Sequence, residues 1–231
     1  MLTVRNVSYR YPDGVNALTN IRFSILDGES VGLIGANGAG KSTLLSLLCG
    51  LLLPTEGQIC YDNITLSKDT LAQVREEVGM VFQNPDDQLF MPTIFDDVAF
   101  GLRNRGMEED AVRTRVMHTL HHMGIEHLAQ RPPYRLSGGE KRSAAIATVV
   151  AMKPKILLFD EPTAFLDSRS KRNLISLLPS IKAGKLIVTH DHDLVEATCS
   201  RVLVLQKGRL VRDDTPAKVF ADAAFLDEAG L

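Results

Sequence analysis

The sequence predicts an α/β fold, and three observations carry that expectation. The apolar run Ser30–Ile34 has strand length. It leads through a glycine-rich loop into Leu44, Leu47, Leu48 and Leu51, which recur at helical spacing. Two later apolar runs, Lys155–Phe159 and Lys185–Val188, are also of strand length, and they end in the polar pairs Asp160-Glu161 and Thr189-His190. The first residues behave differently: they alternate apolar and polar side chains, as a half-buried strand does.

Taken in order, residues 2–9 and 18–26 predict two half-buried strands, separated by the turn Tyr11-Pro12-Asp13-Gly14. Asp27-Gly28 turns the second of them into the run Ser30–Ile34. Gln58–Tyr61 and Ile64 read as a hairpin about Asp62-Asn63, completing an antiparallel layer. Leu71–Val78 has helical spacing, Gly79–Phe82 reads as a short buried strand, and Asn84–Gln88 as a polar, flexible loop. From Thr93 to about Pro133 the pattern is helical. Phe95, Val98, Ala99 and Leu102 share one face, and Val112, Val116, Leu120 and Met123 share another. Leu89 and Phe95 are expected as exposed apolar residues where this insertion joins the βα chain. His118, His121 and His122 lie in the second helix with no carboxylate or thiol at ligand spacing, so a solvated face explains them.

Leu136–Arg142 opens the next helix. Ser137 with Glu140 three residues on is a capping-box pattern. Asp167 reads as the N-cap of a helix running to Leu178. Arg201–Leu205 and Arg209–Arg212 form a final hairpin turning at Lys207-Gly208, and Thr215-Pro216 starts a C-terminal helix.

The chain's chemistry concentrates in Gly35-Ala36-Asn37-Gly38-Ala39-Gly40-Lys41-Ser42-Thr43, which fits G-x-x-x-x-G-K-[ST]. Its glycines free the backbone N–H groups to face a polyphosphate at a helix N-terminus. Lys41 reaches the β- and γ-phosphates in such a loop, and Ser42 carries Mg²⁺. Asp160 and Glu161 are two acids at the end of a buried strand, which packing alone does not explain. In a chain with a phosphate loop they divide the work: Asp160 holds Mg²⁺ and Glu161 polarises the attacking water. Other residues stay open between two uses. Tyr11 packs over its turn or offers a flat platform to a base. Gln83 caps a turn or places its carbonyl oxygen on a metal or water. Ser137-Gly138-Gly139 caps a core helix or presents an anion site.

Composition sets the outer limits. The chain has 231 residues, 45% of them hydrophobic, and a net charge of -2. With no run of Lys or Arg, a general nucleic-acid binder is not expected. Three scattered cysteines suggest neither a disulfide framework nor a metal site, so the reading is a reducing cytosol. The N-terminal residues do not form a signal peptide, and no apolar run has the length to span a bilayer.

Gly35–Thr43, Gln83, Leu136–Glu140, Ile156–Glu161, Asp167 and His190 together resemble the ATP-binding-cassette (ABC) ATPases, over nearly the whole chain. That resemblance implies one domain, 1–231. Residues 1–91 and 152–231 would form a RecA-like P-loop core with an antiparallel β-subdomain, and 92–151 a helical subdomain carrying the signature segment. It implies ATP and Mg²⁺ as ligands and a head-to-tail dimer, of two copies or with a related ATPase. Each site would join one subunit's loop to the other's Ser137, Gly138, Gly139 and Glu140. The resemblance also implies Tyr11 on adenine, Gln83 on Mg²⁺, His190 on the γ-phosphate and Asp167 in the loop crossing the dimer. Phe82–Gln88 and the ending Ala224–Leu231 are similar to the energy-coupling-factor importers of vitamins or of nickel and cobalt ions. Those work at the cytoplasmic face of the membrane with a transmembrane coupling subunit and a substrate-binding membrane subunit. The alternative within the fold is a soluble ATPase acting on DNA or ribosomes. A P-loop kinase leaves Leu136–Glu140 and His190 unexplained. Three features depart from the family: Glu140 stands where many members have Gln, Phe165 where a small residue is usual, and the chain ends near Leu231 without a longer C-terminal region.

Overall fold

The computed structural model describes residues 1–231. Strands β1 (Leu2–Arg10), β2 (Asn16–Ile25), β4 (Glu56–Tyr61) and β5 (Ile64–Thr65) form one antiparallel sheet in the order β2-β1-β4-β5. The second sheet takes β3 (Ser30–Ile34), β6 (Val78–Val81), β7 (Ile156–Asp160), β8 (Gly184–Val188), β9 (Arg201–Gln206) and β10 (Arg209–Asp214). Its order is β10-β9-β3-β8-β7-β6, parallel throughout except for the edge strand β10.

Helix α1 (Lys41–Leu48) lies between the sheets. Leu44, Leu45, Leu47 and Leu48 are fully buried, against Leu2, Val4 and Ile21 on one side and Val31, Leu33 and Leu158 on the other. A helix apolar on so much of its surface is stable only when enclosed. The parallel strands alternate between two cores: Leu158 and Leu186 face α1, whereas Leu157, Phe159 and Ile187 face the remaining helices. That second core takes residues of α3 (Ile94–Asn104), α4 (Glu109–His122), α5 (Gly138–Val150), α6 (Ser168–Leu177) and α7 (His192–Thr198). The short helices α2 (Leu71–Glu77), α8 (Pro216–Phe220) and α9 (Ala223–Ala229) complete the chain.

Several expectations shift in detail. The alternation of β1 slips at Asn6, which adopts φ 52°, so that Leu2, Val4, Val7 and Tyr9 all reach the core. Val78 is the first residue of β6 rather than the last of a helix, because the helix has ended at Glu77. Thr215 stands at the N-cap of α8 without a side-chain bond to it. Asn84–Gln88 is not a loose segment: Pro85–Asp87 form a 3₁₀ turn, capped by the Asn84 side chain accepting from the Asp86 N–H at 3.1 Å. Leu89 is 6% exposed and belongs to the core; the exposed aromatics beside it are Phe90 and Phe100. Phe95 is partly buried against the same core.

Candidate functional site

The glycine loop is shaped by its neighbours as much as by its own torsions. At Gly40 the backbone has φ 108°, and a Cβ there would stand 2.9 Å from the Ala17 carbonyl oxygen. Gly35 has an ordinary φ. It must be glycine because a Cβ would lie 2.3 Å from the Leu205 carbonyl oxygen of β9. The loop is thus wedged between β2 and β9, and Lys41 begins α1 directly behind it.

The parallel strands β3, β7 and β8 all end on this side, so the residues following them converge. A cavity of about 660 Å³ results. Asn37, Gly38, Gly40, Lys41, Ser42 and Thr43 form its floor, and Gln83, Asp160, Glu161 and His190 its far wall. Tyr11 closes the near end. Its hydroxyl bonds the Thr43 hydroxyl at 3.0 Å, and its ring meets Tyr9 edge to face at 5.0 Å. Gly35, Ala36 and Ala39 belong to the loop but lie behind the cavity wall.

The charges in the cavity are mutually arranged. Lys41 Nζ donates to the Gly35 and Ala36 carbonyls and lies 3.2 Å from His190 Nε2. Burial lowers the proton affinity of Lys41, against the pull of Glu161 and Asp160. Burial likewise raises the Asp160 carboxyl above its ordinary range, and the neighbouring Glu161 adds to this, while Lys41 and Arg142 oppose it. Glu161 sits in the left-handed region at φ 43°. Its Oε2 accepts from the His190 backbone N–H at 3.2 Å, and its Oε1 lies 3.6 Å from His190 Nε2. This non-glycine left-handed residue is held by its own N–H donating to the Val188 carbonyl at 2.8 Å.

Ser42 and Gln83 use their backbone carbonyls within the chain, bonding Ser46 and Arg142, while their side chains stand exposed in the cavity. Together with Asp160 they form an all-oxygen donor set, the kind a hard divalent cation takes.

The Ser137–Glu140 segment lies outside this cavity. Both halves of its capping box are formed: the Ser137 hydroxyl accepts from the Glu140 N–H, and the Glu140 carboxylate accepts from the Ser137 N–H at 2.8 Å. Those bonds hold the Glu140 carboxyl below the usual carboxylate range. Asp167 caps α6, accepting from the Ser170 N–H at 2.7 Å, and it too is held low by that bond. Gly139 leaves no room for a side chain, since a Cβ would stand 2.2 Å from Ser170 Oγ.

The cavity also takes in Val15 and Ala17, which the sequence reading left unassigned, and Lys207 and Gly208, which it placed only in a turn. The turn at Lys207-Gly208 was readable. Its position over the loop depends on β9 lying beside β3, which no local pattern encodes.

Glycine loop, acid pair and convergent strand ends define a nucleotide-binding α/β protein of the P-loop class. The sequence profile described as "ABC transporter" matches residues 18–164. The chain belongs to that family and is an ATPase of the ABC-transporter type. It is similar to the energy-coupling factor transporter ATP-binding protein EcfA of Methanosphaera stadtmanae, with 43% identity over 100% of this chain and 85% of the relative. Among solved structures it resembles cbiO1 from Clostridium perfringens, described as part of the ABC transporter complex cbiONQ. That match has a TM-score of 0.89 and 40% identity over 98% of this chain and 93% of the other. It also resembles the ATP-binding cassette MJ0796, solved as a dimer in a post-hydrolysis state bound to ADP and Pi. There the TM-score is 0.81, with 31% identity over 94% of this chain and 99% of the other. No helix of the chain is long and apolar enough to cross a membrane.

Proposed function

We propose that the chain is the motor subunit of an energy-coupling-factor type importer, hydrolysing ATP at the cytoplasmic face of the membrane. The supporting observation is the meeting of Lys41, Asp160, Glu161, Gln83 and His190 on one cavity whose floor is the glycine loop. The 43% identity with EcfA of Methanosphaera stadtmanae, over 85% of that protein, supports the importer subtype. The cargo class carried over from that subtype is a vitamin such as biotin, or a cobalt or nickel ion.

Each residue has a role in this reading. The loop N–H groups and Lys41 bind the β- and γ-phosphates, and Tyr11 flanks the base. Ser42, Gln83 and Asp160 would hold Mg²⁺, which when bound neutralises charge on those phosphates. A polyphosphate and its cation match the site's electrostatics, because both Lys41 and Asp160 are shifted toward neutrality by burial. Glu161 takes the proton of the water attacking the γ-phosphorus, and His190 donates to a γ-phosphate oxygen. The Ser137–Glu140 segment lies off its own chain's cavity, so it serves a partner's site in a head-to-tail dimer, with Asp167 at the crossing. The partner is a second copy or a related ATPase, and the dimer binds a transmembrane coupling subunit associated with a substrate-binding membrane subunit.

The test is purification of the tagged chain from detergent-solubilised membranes of a host expressing it with its membrane subunits. Co-purification of those subunits, with ATP hydrolysis by the assembly, is expected. Purification without them, with hydrolysis stimulated by DNA or ribosomes instead, overturns the importer reading.

A further inference from the structure

Arg142 is the largest fully buried side chain in the chain, 2% exposed, on the second turn of α5. A guanidinium is costly to bury unless its donors are met. Here the two terminal nitrogens donate to consecutive backbone carbonyls, Nη1 to Phe82 at 2.6 Å and Nη2 to Gln83 at 2.5 Å, while Nε is buried without a partner. The planar fork suits two parallel acceptors, and Asp160 nearby offsets part of the charge.

The loop returns the grip. Gln88 Oε1 accepts from the Phe82 N–H at 3.2 Å, and Gln88 Nε2 donates to the Ala145 carbonyl at 2.9 Å and the Thr148 hydroxyl at 2.8 Å. Lys141 and Asp86 pair at 2.6 Å beside them. Residues 82–88 are therefore fastened to α5 from both directions, whereas the Gln83 side chain is free in the cavity.

We propose that Arg142, with Gln88, is a positioning residue for hydrolysis: the clamp makes Gln83 travel with the helix whose N-terminus is Ser137–Glu140. Movement of that helix is transmitted to the cavity rather than absorbed by the loop, so bending falls before Phe82 and beyond Val150. The inference rests on the proposed role of Gln83.

The test compares Arg142→Met, Arg142→Lys and Gln88→Ala with the unaltered chain. The readouts are amide hydrogen exchange across residues 82–88, ATP affinity, kcat and KM. Arg142→Met and Gln88→Ala are expected to speed exchange at the Phe82 amide by about tenfold or more. ATP affinity stays within about threefold while kcat falls at least about tenfold, a split that marks lost alignment rather than lost binding. Arg142→Lys, keeping the charge but not the fork, recovers part of both effects. Faster exchange with unchanged kcat shows a merely structural clamp and overturns the proposal. Unchanged exchange overturns it as well. If Arg142→Met does not fold, Gln88→Ala decides by the same two readouts. An unaltered chain without ATP hydrolysis counts against the proposed function, and exchange still reports on the clamp.

Discussion

Lys41 and His190 stand 149 residues apart in the chain, yet Lys41 Nζ lies 3.2 Å from His190 Nε2. They meet because β3 and β8 are parallel neighbours, so the segments after both strands emerge at one edge. The pair places a cation and an imidazole side by side on the wall of the cavity.

Replacing the cation tests the first half of that arrangement. Lys41→Ala is expected to abolish ATP binding or turnover, since Lys41 is the only cationic side chain of Gly35–Thr43. Near-normal hydrolysis would remove the phosphate role of Gly35–Thr43.

Glu161→Gln keeps a carbonyl oxygen for the His190 N–H but no longer takes a proton. Turnover is expected to fall by roughly 10²–10⁴ with ATP binding retained. In the proposed dimer the variant is also expected to accumulate the ATP-bound state, checked by sedimentation with and without ATP. Hydrolysis at the normal rate would exclude Glu161 as the base.

Glu140 gives a pH dependence. Its carboxyl is lowered from the ordinary 4.5 by the Ser137 N–H and hydroxyl. A depressed folded value stabilises above the unfolded one, and that contribution is lost as pH falls through the folded value. The unaltered chain is therefore expected to melt higher than Glu140→Gln at pH 7. The gap closes as pH drops below 4.5, because Gln completes the same box without a titrating charge. A gap that is constant across this window would show that the carboxylate adds nothing to the cap.

The parts legible in the sequence are those where one local pattern serves one purpose. The glycine loop, the capping box at Ser137 and the N-cap at Asp167 were readable because each is a short constellation with its own physics. Leu89 was misjudged because a single Leu after a polar stretch has no period to reveal which way it faces. The order of Asn84–Gln88 was hidden for another reason: the groups holding it, Arg142, Ala145 and Thr148, lie some sixty residues downstream. The place of Lys207-Gly208 beside the cavity likewise depends on strand order.

Phe165 is 88% exposed and holds φ 62° between Glu161 and Asp167. A side chain in the left-handed region costs roughly 1–2 kcal/mol, against about 0.5–1 kcal/mol for the greater freedom of glycine when unfolded. Phe165→Gly should leave the melting temperature of the isolated chain unchanged or slightly raised. A ring so exposed beside Asp167 is suited to anchor the proposed dimer, so ATP-driven association, measured in the Glu161→Gln background, should weaken by about tenfold. Undiminished association would remove Phe165 from the interface.

The docking surface proposed for a coupling subunit at Leu89 and Phe95 moves to the neighbouring aromatics, because Leu89 is buried and Phe95 partly so. Phe90, 64% exposed, and Phe100, 42% exposed, meet edge to face at 5.1 Å on the outside of the helical layer. Asp97 sets this geometry: its Oδ1 accepts from the Phe90 and Met91 N–H groups at 2.9 and 3.0 Å and draws the loop onto α3. An exposed aromatic pair on a pinned loop is costly to leave in water and suited to a partner's apolar helix face. Phe90→Ser with Phe100→Ser is therefore expected to weaken capture of the membrane subunit while ATP affinity and melting temperature stay nearly unchanged. Leu89→Ser is the contrasting variant. It opens a cavity in the core and should cost about 2–5 kcal/mol of stability, so any loss of assembly there accompanies a lower melting temperature. Intact assembly in the double aromatic variant would place the docking surface elsewhere on the chain, whatever Leu89→Ser does.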